Sequence, residues 1–154
     1  MFAKIAQLII FGFGVGHLPY FPGTWGTLVG MAIFVPSIHF DIFFAVLLWF
    51  LLAIITWREI EKVELSFGKD AQQIVVDEIL GVAIPLFLFN DSVLSLLLVF
   101  FLFRLFDIVK PFMINRIQKF DGTPGVIGDD ILAGIYTTLV MLTLSYFGIL
   151  AWLQ

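Results

Sequence analysis

The sequence contains no cysteine and few charged residues. Of its 154 residues, 13% are charged and 61% are hydrophobic, and the formal net charge is −4. Without Cys the chain has no disulfide, no thiolate nucleophile and no thiolate metal ligand. Its eight Lys and Arg form no basic arm for a nucleic acid. Ordinary globular domains are about half apolar, so this composition indicates a membrane protein.

Long apolar runs predict an all-α integral membrane bundle. The length suits a single domain, residues 1–154, of about four to five transmembrane or half-spanning helices. Crossing the hydrocarbon takes about 20 helical residues, so only the last run is long enough alone. Pro36 interrupts the first run, which we expect to be short or kinked, and whether residues 2–37 cross fully stays open. The runs are Thr27–Ile38, Ile42–Trp57, Ile74–Phe89, Val93–Phe106 and Ile131–Leu153.

Basic residues indicate how the helices are oriented. All Lys and Arg lie in the N-terminal segment, between Arg58 and about Ala71, or between Arg104 and Lys119. We expect the second region to be a solvated connector. If the chain crosses at each run, the three regions share one side, which the positive-inside rule makes cytoplasmic.

Acidic residues beside or inside the apolar runs are the most informative feature. A carboxylate at the centre of a span costs roughly 2.5 to 3.5 kcal/mol on insertion scales, so such groups should face one another or a wet cavity. Gly81 follows Asp77 by four residues and Gly134 follows Asp130 by four, so each helix brings a carboxylate beside a gap. The acidic residues are Asp77, Glu78, Asp107, Asp129 and Asp130.

A third segment supplies positive charge. Arg104, Asp107 and Lys110 fall within an arc of about 120° on one helix, which Pro111 should end near Lys110. Convergent carboxylates are ligands for Mg²⁺, which also relieves their mutual repulsion. Arg104 and Lys110 add fixed charge for phosphate oxygens. The pattern predicts phosphoryl chemistry.

The segment before Thr27 is rich in Pro and Gly. We expect no helix until Thr27, whose hydroxyl would cap the next one. Backbone N–H groups of such a loop form an anion site at a helix N-terminus. The spacing does not match the P-loop G-x-x-x-x-G-K-[ST], so nucleotide hydrolysis is not supported.

Four of these segments together resemble the phosphatidylglycerophosphatase A family. Met113 and Gly128 depart from that family's pattern, and neither is a proposed ligand. The matching segments, in the family's order, are Pro22 to Thr27, Asp77-Glu78, Arg104 to Pro111, and Asp129 to Gly134.

The resemblance implies a multi-pass lipid phosphatase of the bacterial inner membrane, with its active site facing the cytoplasm. It implies Mg²⁺-dependent conversion of phosphatidylglycerophosphate to phosphatidylglycerol and inorganic phosphate. The expected partners are a phospholipid with a phosphomonoester head group and the bilayer. The number of ions, the choice between water and a carboxylate as nucleophile, the selectivity among lipid phosphates and the oligomeric state stay open.

Each predicted site residue has a role in this hypothesis. The catalytic and metal-binding residues would be drawn from Asp77, Glu78, Asp107, Asp129 and Asp130. The phosphate-binding residues would be Arg104, Lys110, Thr24, Thr27, Gly23 and Gly26.

Simpler structural roles compete with these assignments. Asp129 or Asp130 would also serve as the N-cap of a helix that starts at Ile131. Arg104 and Asp107 are three residues apart and would also form a local ion pair.

Two functional alternatives stay open. A CDP-alcohol phosphotransferase-like enzyme also gathers Asp residues around metal, but its Asp-Gly-x-x-Ala-Arg signature is missing, since Asp121-Gly122 continues as Thr-Pro. A proton- or cation-coupled transporter needs polar groups across the whole membrane. Asp41 and Asp91 are the only charged residues on the predicted outer side.

Overall fold

The computed structural model describes residues 2–68 and 71–152, and every regular element in these ranges is helical, so the all-α prediction is confirmed. Lys69 and Leu153, which the charge pattern and the last apolar run include, lie outside the described residues. In the described ranges the elements are α1 (Phe2–Ile10), a 3-10 segment (Gly12–His17), α2 (Pro22–Phe40), α3 (Ile42–Phe67), α4 (Val76–Leu86), α5 (Val93–Val109), α6 (Ile114–Ile117), α7 (Thr123–Tyr146) and α8 (Ile149–Trp152).

Two helices begin earlier than the sequence suggested. α2 begins at Pro22 rather than Thr27, because proline is well suited to the first helical turn, where its missing N–H has no partner to lose. The Thr27 hydroxyl is therefore not an N-cap and instead donates to the Gly23 carbonyl at 2.9 Å. α2 also continues through Pro36.

The N-terminus of α7 is the second such case. α7 begins at Thr123, with a proline in its first turn, and not at Ile131. Asp129 and Asp130 consequently lie inside the helix rather than at its start, and their side chains are buried in the protein. The prediction that one of them caps the start of the helix is therefore wrong.

α3 extends beyond its apolar run. The helix continues past Trp57 to Phe67, so the expected solvated connector is helical as far as that residue. Glu59 is buried, and Lys62 pairs with it at 2.5 Å across one helical turn. The prediction of a solvated residue is therefore wrong for Glu59, whereas Arg58, Glu61 and Lys62 are exposed as predicted, on a helix.

Two of the described helices are long and apolar enough to cross a membrane, α3 and α7. Only 22% of the apolar stretch of α3 is buried in the protein, whereas half of that of α7 is. α3 thus has mostly lipid-compatible surface, and α7 is shared between the core and the exterior. The bundle of four to five spanning or half-spanning helices stays a prediction.

α4 forms the centre of the fold. Nine of its eleven residues are buried, and it packs mainly against α7 and α2. α5 packs on α7, and α1 packs on α3. The Trp49 indole donates to the Leu80 carbonyl at 2.9 Å and ties α3 to α4. The first turn of α4 therefore lies close to α2, α5 and α7, which carry the other predicted site residues.

Candidate active site

A glycine contact brings α4 and α7 together beside the acidic pairs. A Cβ atom at Gly81 would lie 2.6 Å from the Asp130 carbonyl oxygen, and one at Gly134 would overlap the Gly81 carbonyl oxygen. The predicted gaps beside the carboxylates are thus filled by the backbone of the partner helix. Because Asp77 and Asp130 precede these glycines by one turn, this close packing places their side chains side by side.

Three carboxylates converge at this crossing. One oxygen each from Asp77, Glu78 and Asp130 can be chosen so that all three lie within 4.8 Å of one another. All three groups are largely shielded from solvent, and Glu78 Oε2 and Asp130 Oδ1 have no hydrogen-bond partner among the described residues. Buried acceptors without partners are costly, so this set fits a cation that accepts oxygen ligands, as Mg²⁺ does.

The other two carboxylates are paired with the two cations. Asp107 Oδ2 lies 2.6 Å from Arg104 Nη1, so the local ion pair considered from the sequence is present. Asp129 Oδ2 lies 2.5 Å from Lys110 Nζ, and Asp107 Oδ1 lies 3.9 Å from the same nitrogen. The five predicted acids therefore divide into three that converge and two that orient Arg104 and Lys110.

Lys110 follows the last residue of α5, where Pro111 was predicted to end the helix. Its backbone is left-handed, with φ of 47°, and its side chain reaches across to α7. Burial lowers the pKa of Lys110, but the hydrogen bond and the charge of Asp129 raise it more, so the net pKa lies above the ordinary lysine value. The Lys110 ammonium group is therefore charged at neutral pH.

Arg104 connects the ion pairs to the convergent carboxylates. Its Nη1 lies 3.7 Å from Glu78 Oε1 and 3.4 Å from the Thr27 hydroxyl. Its Nε is buried and has no hydrogen-bond partner among the described residues. A Cβ at Gly23 would overlap Glu78 Oε1 and lie 3.1 Å from both terminal nitrogens of Arg104, so a larger residue there would require these two side chains to move.

These groups border a cavity of about 310 Å³. Thr24, Gly26 and Thr27 are not among its lining residues: Gly26 packs against Val75, and Thr27 is fully buried behind Arg104. Sequence reasoning missed Phe21 and Gln72, which carry no charge pattern that would single them out. The lining residues are Phe21, Pro22, Gly23, Ala71, Gln72, Ile74, Asp77, Glu78, Arg104, Asp107, Lys110, Asp129 and Asp130.

A larger groove, of about 630 Å³, runs along α3 between Ala53 and Lys62. The carboxylate that lines it, Glu59, is paired with Lys62 at 2.5 Å. A single paired acid does not provide the converging oxygen ligands that phosphoryl chemistry needs. The smaller acidic cavity is therefore the candidate active site.

Comparisons with known proteins agree with this choice. A family model described as Phosphatidylglycerophosphatase A matches residues 8–145, a range that contains all the lining residues. A protein of Bacteroides thetaiotaomicron named "Putative phosphatidylinositol-3-phosphatase" is 38% identical over 144 residues, which cover 87% of this chain and 89% of that protein. A phosphatidylglycerophosphatase A of Haemophilus influenzae is 37% identical over 150 residues, covering 92% and 89% respectively.

No solved structure matches the chain. The family and the two relatives are named as phosphatases, so these comparisons do not favour the phosphotransferase or transporter alternatives.

Proposed function

The chain belongs to the phosphatidylglycerophosphatase A family of phosphoric monoester hydrolases, and we propose that it removes the terminal phosphate of phosphatidylglycerophosphate. The products are phosphatidylglycerol and inorganic phosphate. We propose that this reaction takes place at the cytoplasmic face of a bacterial membrane and that it requires Mg²⁺.

One observation carries the proposal. Three carboxylates from α4 and α7 converge, with buried oxygens that have no partner, next to an arginine and a lysine. Oxygen ligands for a hard divalent cation and positive groups for phosphate oxygens are the two requirements of metal-assisted phosphoryl transfer. Asp77, Glu78 and Asp130 would hold the ion, which supplies Lewis acidity at the phosphate when it is bound.

The cations have complementary roles in this mechanism. Arg104 and Lys110 both line the cavity, where Arg104 would bind phosphate oxygens and the charged Lys110 would stabilise negative charge that develops on the phosphoryl group. Asp107 and Asp129 hold these two side chains in place through their ion pairs. Charges oriented before the substrate arrives need no rearrangement during the reaction.

Residues of α2 support this arrangement. Gly23 leaves room for the Glu78 and Arg104 side chains, and Thr27 positions Arg104 through its hydroxyl. Thr24 and Gly26 stay predicted contacts of the head group.

Two nucleophiles are consistent with these residues. A water molecule that attacks phosphorus would release the lipid alcohol and phosphate in one step. A cluster carboxylate would instead form an acyl phosphate, which water then hydrolyses. Trapping of radiolabelled phosphate on the protein during turnover distinguishes the two routes.

The membrane placement follows from charge and length. α3 and α7 are the helices that satisfy the length and hydropathy of a span in the described chain. The positive-inside rule assigns the two internal regions of basic charge, which contain Arg58, Lys110 and Arg116, to the cytoplasm. A phosphomonoester head group at that surface would reach the acidic cavity while its acyl chains extend toward the centre of the membrane.

Phosphate release by the purified protein tests the function. We expect phosphate release from phosphatidylglycerophosphate to depend on Mg²⁺ and to be faster than release from phosphatidylinositol 3-phosphate. The second lipid is included because of the name of the Bacteroides relative. Asp77→Asn should abolish release, and Glu61→Gln, at an exposed position of α3, should not. Preference for the inositol lipid would overturn the substrate proposed here, and release independent of any divalent cation would overturn the metal mechanism.

A further inference from the structure

An apolar groove lies between α5 and α7, on the other side of Lys110 from the acidic cavity. Its volume is about 320 Å³. The rings of Phe106 and Tyr136 meet edge to face inside it, with centroids 5.8 Å apart. The groove is lined by Phe106, Pro111, Phe112, Tyr136, Leu139 and Val140.

The groove begins directly beside an ion pair of the active site. Phe106 precedes Lys110 by one turn of α5, and Tyr136 follows Asp129 by seven residues, which returns to the same face of α7 about 10 Å further along. Lys110 and Asp129 are bonded to each other at 2.5 Å. The apolar groove therefore continues from this pair along α7, away from the acidic cavity.

A strained loop of three residues separates the two spaces. Lys110 and Phe112 both have left-handed backbones, with φ of 47° and 52°, a conformation that is strained for residues other than glycine. Lys110 lines the acidic cavity, whereas Pro111 and Phe112 line the groove. A molecule with a phosphate at one end and hydrocarbon at the other would occupy both spaces by passing over this loop.

We propose that this groove binds an acyl chain of the lipid substrate while the terminal phosphate occupies the acidic cavity. The inference rests on the proposed function and adds a binding site to it. Lipid tails are as apolar as the groove, so the chain gains little hydrophobic free energy by leaving its neighbours. The contribution of the groove is instead to orient the head group, because small displacements of a reacting group cost large factors in rate.

Two substrates that differ only in chain length test this site. Leu139→Trp fills the far end of the groove, about 15 Å along α7 from Asp129, at a position exposed enough to accept the larger ring. We expect kcat/KM for dipalmitoyl phosphatidylglycerophosphate in detergent micelles to fall on the order of tenfold. The value for the dihexanoyl lipid, whose chains are too short to reach Leu139, should stay unchanged. Leu105→Trp, on an exposed face of α5 outside the groove, should leave both values unchanged.

A photoreactive lipid gives an independent measurement. Phosphatidylglycerophosphate with a diazirine at the end of one acyl chain should label α7 near Leu139. Excess unlabelled phosphatidylglycerophosphate should suppress this label, and excess phosphatidylcholine should not.

Each outcome decides between the occupants. An equal loss of kcat/KM with both substrates in Leu139→Trp, or no loss with either, would overturn the acyl-chain site. Equal suppression of the photolabel by phosphatidylglycerophosphate and phosphatidylcholine would overturn it as well, because it would mean that bulk lipid fills the groove. Failure of the wild-type protein to hydrolyse either substrate would count against the proposed function, and the labelling experiment would then decide on the groove by itself.

Discussion

Gly81 and Gly134 pack backbone against backbone where α4 crosses α7. A Cβ at Gly81 would lie 2.6 Å from the Asp130 carbonyl oxygen, and one at Gly134 would overlap the Gly81 carbonyl oxygen. Each glycine follows an acidic residue of the candidate site by four residues. The distance between the two helices therefore sets the distance between their carboxylates.

Gly81→Ala should separate the helices at this contact. Overpacking of a buried contact costs about 1 to 3 kcal/mol, and a shift of about 1 Å at a reacting group costs about a hundredfold in rate. We expect a lowered Tm and a fall in kcat on the order of a hundredfold, measured by thermal unfolding and phosphate release. Gly128→Ala is the control for overpacking away from the crossing: its Cβ would lie 2.6 Å from the Ile117 Cγ2 methyl, so we expect a lowered Tm with kcat close to the wild-type value. Normal kcat in Gly81→Ala would show that the crossing does not position the carboxylates.

Arg104→Lys tests the requirement for a guanidinium group. A lysine has no planar fork with which to meet Asp107, Glu78 and a phosphate at once. We expect kcat/KM to fall about a hundredfold, as for the loss of one donor to developing charge. Arg116→Lys, at an exposed position, is the matched control and should have wild-type kinetics. Full activity of Arg104→Lys would mean that positive charge alone is sufficient.

Thr27→Val tests whether Thr27 acts through Arg104. The lost hydroxyl interaction is worth about 1 kcal/mol, so we expect kcat/KM to fall roughly fivefold in Thr27→Val. Thr27→Ser keeps the hydroxyl and should retain a kcat/KM close to that of the wild type. In the Arg104→Lys background the same substitution should cost less, because the two changes remove one interaction. Full additivity in this double-mutant cycle, measured by kcat/KM, would contradict the positioning role.

The absence of Cys allows the orientation to be tested by single-cysteine labelling. Glu61→Cys and Arg116→Cys should react only with a membrane-impermeant maleimide added from the cytoplasmic side, and Asp91→Cys only from the outer side. The native chain provides an unlabelled background, since it has no thiol. Labelling of Glu61→Cys and Asp91→Cys from the same side would contradict the proposed crossing.

Local sequence rules located much of the site. Pro111 ends α5 next to Lys110 as predicted, because the residue before a proline avoids helical geometry. The acidic pairs, Arg104 and Lys110 line one cavity. This follows from the high cost of isolated charges in an apolar chain, which leaves them few arrangements other than mutual contact.

Helix starts were the main error in the local structure. Pro22 lies in the first turn of α2, yet the density of Pro and Gly around it predicts no helix before Thr27, and Pro124, in the first turn of α7, is not used in predicting where that helix starts. Proline in the first turn of a helix is favoured, and this rule would have predicted both starts. The error also moved Thr27 and Asp129 to the ends of helices, where capping seemed the simplest role.

The division of the five carboxylates required tertiary structure. Arg104 and Asp107 are three residues apart, so their pairing is foreseeable from helical spacing. Asp129 pairs instead with Lys110 of another helix, and Asp130, its neighbour, turns toward Asp77 and Glu78. Which of two adjacent acids faces which partner depends on how α4, α5 and α7 pack, and short sequence motifs do not contain that information.

Mg²⁺ binding to purified protein tests the central claim most directly, because the claim is that α4 and α7 share one cation site. We predict that Mg²⁺ raises the Tm of the wild type, since a ligand at a hundredfold excess over its Kd stabilises the fold by about 2.7 kcal/mol. Asp77→Asn and Asp130→Asn should each lose this rise, while their Tm in a chelator is no lower than that of the wild type because carboxylate repulsion is reduced. A wild-type Tm that does not respond to Mg²⁺, or an undiminished response in either variant, would contradict the account.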